Sequence, residues 1–106
     1  VLLGGRNRAL ASHLASFLKM ALPDYSFEND LEQIPKELRG LHPKNPVNIP
    51  ALTGVQVELP PTLRWNREEW GWSDNGGIGR AKHVDDIIVA LSKAITLLPV
   101  NTYLKE

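Results

Sequence analysis

The sequence begins with VLLGGRN, residues 1–7, and this stretch carries the strongest indication of the fold class. Its first three residues form a short apolar run typical of a buried parallel strand, and the two glycines suit a tight turn. Asn7 can then cap a helix over residues 8–22, whose apolar side chains recur at spacings of three and four. A strand, a glycine turn and an amphipathic helix make half of a βαβ unit, so the stretch predicts an α/β fold.

The clearest strand in the sequence is GVQVEL, residues 54–59. Its apolar residues alternate with Gln56 and Glu58, which is the period-two pattern of a pleated strand, and two prolines then end it. A carboxylate that faces a covered sheet is costly unless it is paired or used, so Glu58 is a candidate general acid or base. Two structural interpretations stay open, namely an edge strand with both polar side chains in water, or an ion pair between Glu58 and Arg64.

The remaining chain supplies connections and a second helix. Residues 25–51 carry four prolines and predict an irregular connection, with a short helix over residues 30–38 broken at Pro35. Residues 62–79 predict a loop rich in Trp, Asn and Gly. Residues 80–98 predict a helix with one apolar stripe, formed by Val84, Ile87, Ile88, Leu91, Ile95 and Leu98. This order of elements predicts part of a three-layer α/β/α domain with a mixed or parallel sheet.

Composition excludes several classes of protein. The 106 residues are 42% hydrophobic and 23% charged, which is ordinary globular composition. Twelve Lys and Arg balance twelve Asp and Glu, so the chain lacks the basic field of a general nucleic-acid binder. It has no cysteine, which excludes disulfides and thiolate metal sites. No signal peptide is visible, and no apolar run is long enough to span a membrane. We therefore expect no membrane partner, and the balanced charge predicts no nucleic-acid partner.

The apolar start of the chain suggests that it is a piece of a larger domain. Chain termini are usually solvated, whereas this chain begins with the apolar residues of a strand that is expected to be buried. We therefore expect this piece to be poorly stable alone, with a missing N-terminal half or self-association covering its exposed core.

Two polar segments are further candidates for a binding site. In HPKNPVN, residues 42–48, Asn45 and Asn48 could hydrogen-bond a substrate amide or carboxylate, or they could simply be turn residues. At the strand-to-helix junction, Arg6 could clamp a carboxylate or phosphate beside a helix N-terminus, or the junction could be a turn only. Residues 76–80 allow a phosphate cradle or a hinge.

Aromatic and histidine residues leave further alternatives. Trp65, Trp70 and Trp72 could line a binding cleft or pack their loop onto the domain. The three histidines are too widely spaced to assemble a zinc set, and those in the helices are expected on polar faces at the surface. They are His13, His42 and His83.

Three ordered segments resemble one family. VLLGGRN, KNPVN at residues 44–48, and GVQVEL followed by Leu63-Arg64 resemble the C-terminal half of poly-γ-glutamate hydrolases. These phage and bacterial zinc enzymes cleave γ-glutamyl amide bonds and have a fold similar to zinc carboxypeptidases. The resemblance covers roughly residues 1–98. It implies that residues 1–106 are the C-terminal portion of a single α/β hydrolase-type domain that acts on a γ-glutamyl polymer or peptide.

The resemblance also implies roles for residues. In such enzymes zinc polarises the scissile carbonyl and activates a water, while a glutamate takes the proton of that water and passes it to the leaving amine. By its place in the motif, Glu58 would be that general base. Asn45, Asn48 and Arg64 fall on positions near the family's site and would position substrate, and Arg6 could bind a substrate carboxylate.

Two departures from the family keep an alternative open. The family's zinc ligands, two histidines and a glutamate, belong to its N-terminal half, so we expect zinc in the full-length protein but no metal ligands in this chain. Relatives tend to carry Arg after the Asn-x-x-Asn pair, where this sequence has Ile49. The alternative function is a non-catalytic, degenerate relative that binds a ligand or partner through the Trp loop. A weaker one is a phosphate-ligand binder.

Overall fold

The computed structural model describes residues 1–66, 71–72 and 82–98. Its strands are β1 (Leu2–Gly4), β2 (Gln56–Glu58), β3 (Trp65–Asn66) and β4 (Gly71–Trp72), and its α-helices are α1 (Arg8–Ala21), α2 (Pro61–Arg64) and α3 (Lys82–Thr96). Three single 3₁₀ turns lie between α1 and β2, at Leu31–Gln33, Lys36–Leu38 and Pro46–Asn48. The chain thus contains both helices and strands, which confirms the predicted α/β class.

Strand β1 has neighbours on both sides. It pairs with β2 in antiparallel register, with Leu3 opposite Val57 and Leu2 opposite Glu58. On its other side Leu2 forms a parallel bridge with Glu28, where the Leu3 amide donates to the Glu28 carbonyl at 2.9 Å. The chain that follows α1 therefore returns parallel to β1 and completes a short βαβ crossover. The neighbour contributed by the GVQVEL segment runs antiparallel, so the expectation of a parallel strand is wrong for this pairing and holds only for the bridge to Glu28.

Helix α1 begins and ends as its sequence predicts. The Asn7 side chain accepts a hydrogen bond from the Leu10 amide at 3.0 Å, which satisfies one of the free amides of the first turn. The helix ends at Ala21, and the Leu22 amide closes the last turn on the Leu18 carbonyl at 2.9 Å. The predicted range of residues 8–22 is therefore correct to within one residue.

The core lies where α1 packs against β1 and α3. Leu3 and Leu18 are fully buried, and Val55 and Val57 of the β2 segment pack against the same cluster. The buried residues contributed by the two helices are Ala11, Leu14, Ala15, Leu18, Ile87, Ala90 and Ala94. Small alanines on both helices let the two backbones approach closely.

The apolar stripe predicted for α3 is partly wrong. Ile88 and Ile95 are 42% and 61% exposed, whereas Ala90 and Ala94 are buried. Helix α3 thus turns its small residues towards α1. His13 strengthens this contact because its Nε2 lies 2.9 Å from the Ala94 carbonyl, so the expectation of a plain surface histidine is also wrong.

The proline-rich connection is segmented as predicted. Pro35 separates the 3₁₀ turns at Leu31–Gln33 and Lys36–Leu38, which is the interruption that its missing amide proton requires. The prediction of a plain loop over residues 62–79 is wrong in part, because the segment contains most of α2 and the antiparallel pair β3–β4, with Trp65 opposite Trp72. Trp70 lies outside the described residues.

In the parts of the chain that the structure describes, no helix is long and apolar enough to cross a bilayer.

Candidate functional site

The site is built around the turn that joins β1 to α1. Three successive amides of this turn donate to other segments, and the Gly5 amide bonds the Arg39 carbonyl at 2.7 Å. The Arg6 amide bonds Oδ1 of Asn48, and the Asn7 amide bonds the Gly54 carbonyl, each at 3.0 Å. Because these amides are already engaged, the junction does not offer them to a phosphate. The other element of the phosphate interpretation, residues 76–80, lies outside the described residues.

Glycine is required at the centre of this turn. Gly5 has φ +90°, a conformation that other residues rarely adopt. A Cβ atom added there would lie 2.3 Å from the Gly54 carbonyl oxygen. The close approach of these two backbone segments brings the strand-to-helix turn against the start of the β2 segment.

Asn48 anchors the loops around this turn. Its side chain is only 7% exposed and makes three hydrogen bonds. Oδ1 accepts from the Arg6 amide, and Nδ2 donates to the carbonyls of Gly40 at 2.6 Å and His42 at 3.0 Å. These bonds give Asn48 a structural function in holding two loops together, while its predicted contact with substrate stays a prediction.

A chain of side-chain amides leads to Glu58. Nδ2 of Asn45 donates to Oε1 of Gln56 at 2.7 Å, and Nε2 of Gln56 donates to Oε1 of Glu58 at 3.2 Å. Nε2 of Gln56 also has a longer contact of 3.5 Å with the Leu38 carbonyl. The structure therefore brings Asn45 and Glu58, two of the predicted site residues, into one network through Gln56.

Glu58 lies at the last position of β2 and is half-buried. Gln56 and Glu58 share the face opposite Val57, whose side chain packs against the core, as the alternation predicts. Among the described residues, the hydrogen bond to the Glu58 carboxylate goes to Oε1. Oε2 is therefore the oxygen that this network leaves for a proton or a water.

Arg6 and Arg64 are the two basic residues predicted for the site, and the structure describes the side chain of Arg6 alone. Arg6 is exposed, and its Nε donates to the Leu41 carbonyl at 2.8 Å, which leaves the two terminal nitrogens for another acceptor. Arg64 belongs to α2, but its side chain lies outside what the structure describes. Neither its predicted ion pair with Glu58 nor its contact with substrate is tested by the structure.

Arg8 is a structural residue that the sequence analysis missed. Its guanidinium donates to the carbonyls of Leu3 and Gly5, each at 2.8 Å, and of Asn29 at 2.5 Å. Burial lowers the pKa of Arg8 from its ordinary value, and nearby Asp30 opposes that shift. Arg8 thus fixes the end of β1 against the connection after α1. An arginine in the first turn, where acidic residues are favoured, is the sequence signal for this role.

Metal binding does not fit the described residues. Within residues 1–66, 71–72 and 82–98 there is no group of three or more His, Asp or Glu side chains that could hold a metal ion. The zinc that the family resemblance implies therefore has no ligand set in this part of the chain.

Comparison with known proteins places most of this site within one family. A family model described as poly-gamma-glutamate hydrolase matches residues 1–69, which include Asn45, Asn48 and Glu58. No curated protein and no solved structure matches the chain. The matched residues include strands β1 and β2 and the side-chain amide network from Asn45 to Glu58.

Proposed function

The chain belongs to the poly-γ-glutamate hydrolase family, and we propose that it supplies the general base and part of the substrate cleft for hydrolysis of γ-glutamyl amide bonds. The observation that carries this proposal is the network that ends on Glu58. A half-buried carboxylate, held through one oxygen and open at the other, has the arrangement that a general base needs.

The proposed reaction assigns one proton path to Glu58. A water oxygen attacks the carbonyl carbon of the γ-glutamyl amide while the Glu58 carboxylate takes a proton from that water. The carbon–nitrogen bond then breaks, and Glu58 passes the proton to the leaving amine nitrogen. One water is consumed and one carboxyl group and one amine are formed, so Glu58 ends the cycle in its starting state.

The substrate's charge suggests a second role. Poly-γ-glutamate carries one free carboxylate per residue, and the exposed Arg6 has two terminal nitrogens that can bind such a group in a bidentate manner. Arg64 is proposed for a second contact of this kind. Asn45 and Asn48 are proposed to support substrate binding indirectly, through the hydrogen bonds that hold the neighbouring segments in place.

Zinc and the larger fold remain proposals for the protein as a whole. We propose that zinc takes part through ligands other than the described residues, since these offer no suitable group. We also propose that this α/β unit is the C-terminal portion of a three-layer, zinc carboxypeptidase-like domain. Family membership supports both proposals, and removal of zinc by a chelator should abolish turnover and added zinc should restore it.

The test is turnover of γ-glutamyl polymer by the full-length protein supplied with zinc. Glu58→Gln should lower kcat by about 10²–10⁴-fold, because it removes the group that accepts the proton. Glu28→Gln is the matched control. Glu28 and Glu58 both pair with Leu2, but on opposite edges of β1, so the Glu28→Gln variant should keep wild-type activity. Full activity of Glu58→Gln would contradict the assignment.

A different surface supports a partner-binding function as the second candidate. A groove of about 360 Å³ between α1 and α3 is lined by Phe17, Met20, Ala21, Asp86, Val89, Ala90 and Lys93. Met20 and Val89 are 82% and 67% exposed. Asp86 and Lys93 are equally far along the sequence from the Val89–Ala90 pair. If a second copy packed its α3 antiparallel across a two-fold axis at that pair, Asp86 would face Lys93 of the other copy.

This alternative is tested by sedimentation. If the groove binds a second copy, the protein should sediment as a dimer, Lys93→Glu should dissociate it, and the swapped pair Asp86→Lys with Lys93→Glu should restore it. A monomer at all concentrations, together with a Glu58-dependent turnover, would favour the hydrolase.

A further inference from the structure

We infer that Gln56 is a positioning residue for Glu58, and that Asn45 sets the direction in which the Gln56 side-chain amide points. This inference rests on the proposed role of Glu58 as general base. It assigns a function to Gln56, a residue that the sequence identifies only as the polar neighbour of Glu58 on one face of a strand.

The direction of the amide chain follows from a backbone group that can only donate. The Val47 amide donates to the Asn45 side chain at 3.1 Å, so the atom facing it must be the oxygen, Oδ1. Nδ2 of Asn45 is then the atom that faces Gln56, and it requires an acceptor there, Oε1, at 2.7 Å. Nε2 of Gln56 is consequently left facing Glu58, which receives a donated hydrogen bond.

The loop before Asn45 also restrains Gln56. Gly40 has φ +64°, and a Cβ atom added there would lie 3.0 Å from Cβ, Cδ and Oε1 of Gln56. The backbone at Gly40 therefore lies directly against this side chain, while the Leu38 carbonyl faces its Nε2. Gln56 is held by Asn45 at its oxygen and by the Leu38 and Glu58 acceptors at its nitrogen.

The consequence for Glu58 is a fixed assignment of its two oxygens. Oε1 accepts the hydrogen bond from Gln56, so Oε2 is the oxygen directed to the reacting water. A reacting group misplaced by about 1 Å can lose about 10²-fold in rate. The amide chain thus contributes to kcat through the orientation of Glu58 and leaves the binding of substrate to other residues.

Variants at Asn45 separate this role from a capping role. Asn45 also caps the 3₁₀ turn at Pro46–Asn48 through its oxygen. Asn45→Ser and Asn45→Asp both keep an oxygen acceptor for that cap, but neither can donate to Gln56 in the way that the amide does. A residue that only caps should tolerate both changes, and the Ser variant adds no charge.

The kinetic test is made on the full-length protein with zinc. We expect Gln56→Met, Asn45→Ser and Asn45→Asp each to lower kcat by about 10–100-fold with KM changed by less than about 2-fold. Gln33→Met is the matched control, because Gln33 is exposed in another segment and should leave both constants unchanged. Wild-type kcat in Gln56→Met or in Asn45→Ser would overturn the inference.

A spectroscopic test does not depend on turnover. In protein labelled with ¹⁵N-glutamine, the side-chain amide resonances of Gln56 should shift in Glu58→Gln and in Asn45→Ser, while those of Gln33 stay in place. Unchanged Gln56 resonances in both variants would overturn the inference. If these resonances shift but wild-type protein has no turnover, the proposed hydrolase function fails while the orientation of the amide chain is supported.

Discussion

The backbone amide of Arg6 donates to Oδ1 of Asn48 at 3.0 Å, across 42 positions of sequence. This bond ties the turn between β1 and α1 to the loop that contains the candidate substrate-binding asparagines. Since Nδ2 of the same side chain holds the carbonyls of Gly40 and His42, one buried amide joins three segments around the site. Asn48 therefore holds the loops around the site in place through hydrogen bonds that no regular element supplies.

Asn48→Ala should destabilise the protein strongly. The change leaves the Arg6 amide and the two carbonyls without their partner in a buried position, at a cost of roughly 2–4 kcal/mol. Urea denaturation gives the free energy of unfolding. Asn29→Ala is the control, because its side chain makes one exposed hydrogen bond to Ser12 and should cost less than about 1 kcal/mol. Equal losses in the two variants would contradict the anchoring role.

Gly5→Ala should be much more damaging than Gly40→Ala. Both glycines have positive φ, so both substitutions share a conformational strain of about 1–2 kcal/mol. At Gly5 the new Cβ also meets the Gly54 carbonyl oxygen at 2.3 Å, whereas at Gly40 it meets the Gln56 side chain at 3.0 Å. A backbone clash adds about 1–3 kcal/mol. Thermal unfolding should show the larger fall in Tm for Gly5→Ala, and the reverse order would refute this account.

Asn7→Ala should weaken α1 at its first turn. It removes the acceptor of the Leu10 amide and the donor to the Leu52 carbonyl, for a loss of about 1–2 kcal/mol. Asn7→Ser keeps a capping oxygen and should lose less. Stabilities of both variants are measured by circular dichroism during urea denaturation. A Ser variant as unstable as the Ala variant would show that the cap contributes little.

Two substitutions in α3 test which of its faces is buried. Ala94 is fully buried against α1, so Ala94→Leu should overpack the helix contact and cost about 1–3 kcal/mol. Ile95 is largely exposed, so Ile95→Ala should change stability by less than about 0.5 kcal/mol. The apolar stripe read from sequence predicts the opposite order, because it places Ile95 in the core. Unfolding free energies of the two variants distinguish the two arrangements.

Local features of this chain could be predicted from sequence. The Asn7 cap, the end of α1 near Pro23, the interruption at Pro35 and the alternation that ends in Glu58 all appear in the structure. Each depends on residues within a few positions of one another, through a side-chain cap, a missing amide proton or the period of the strand. The alternation alone was enough to place Gln56 and Glu58 on one face.

Other features depended on partners far away in sequence. Helix α3 could bury its large or its small apolar residues, and the alanines of α1 decided for Ala90 and Ala94. The direction of the partner of β1, the three bonds of Asn48 and the contacts of Arg8 likewise join segments that sequence patterns treat as independent.

Sequence patterns were sufficient to locate α1 and the alternating strand that ends in Glu58, and they missed α2 and the β3–β4 pair. The directed hydrogen-bond chain from Asn45 through Gln56 to Glu58 became visible in the folded structure alone. The physical reason is that a local pattern fixes the side of an element on which a residue lies. The partner that it meets there is set by the packing of distant segments and by the requirement that every buried donor find an acceptor.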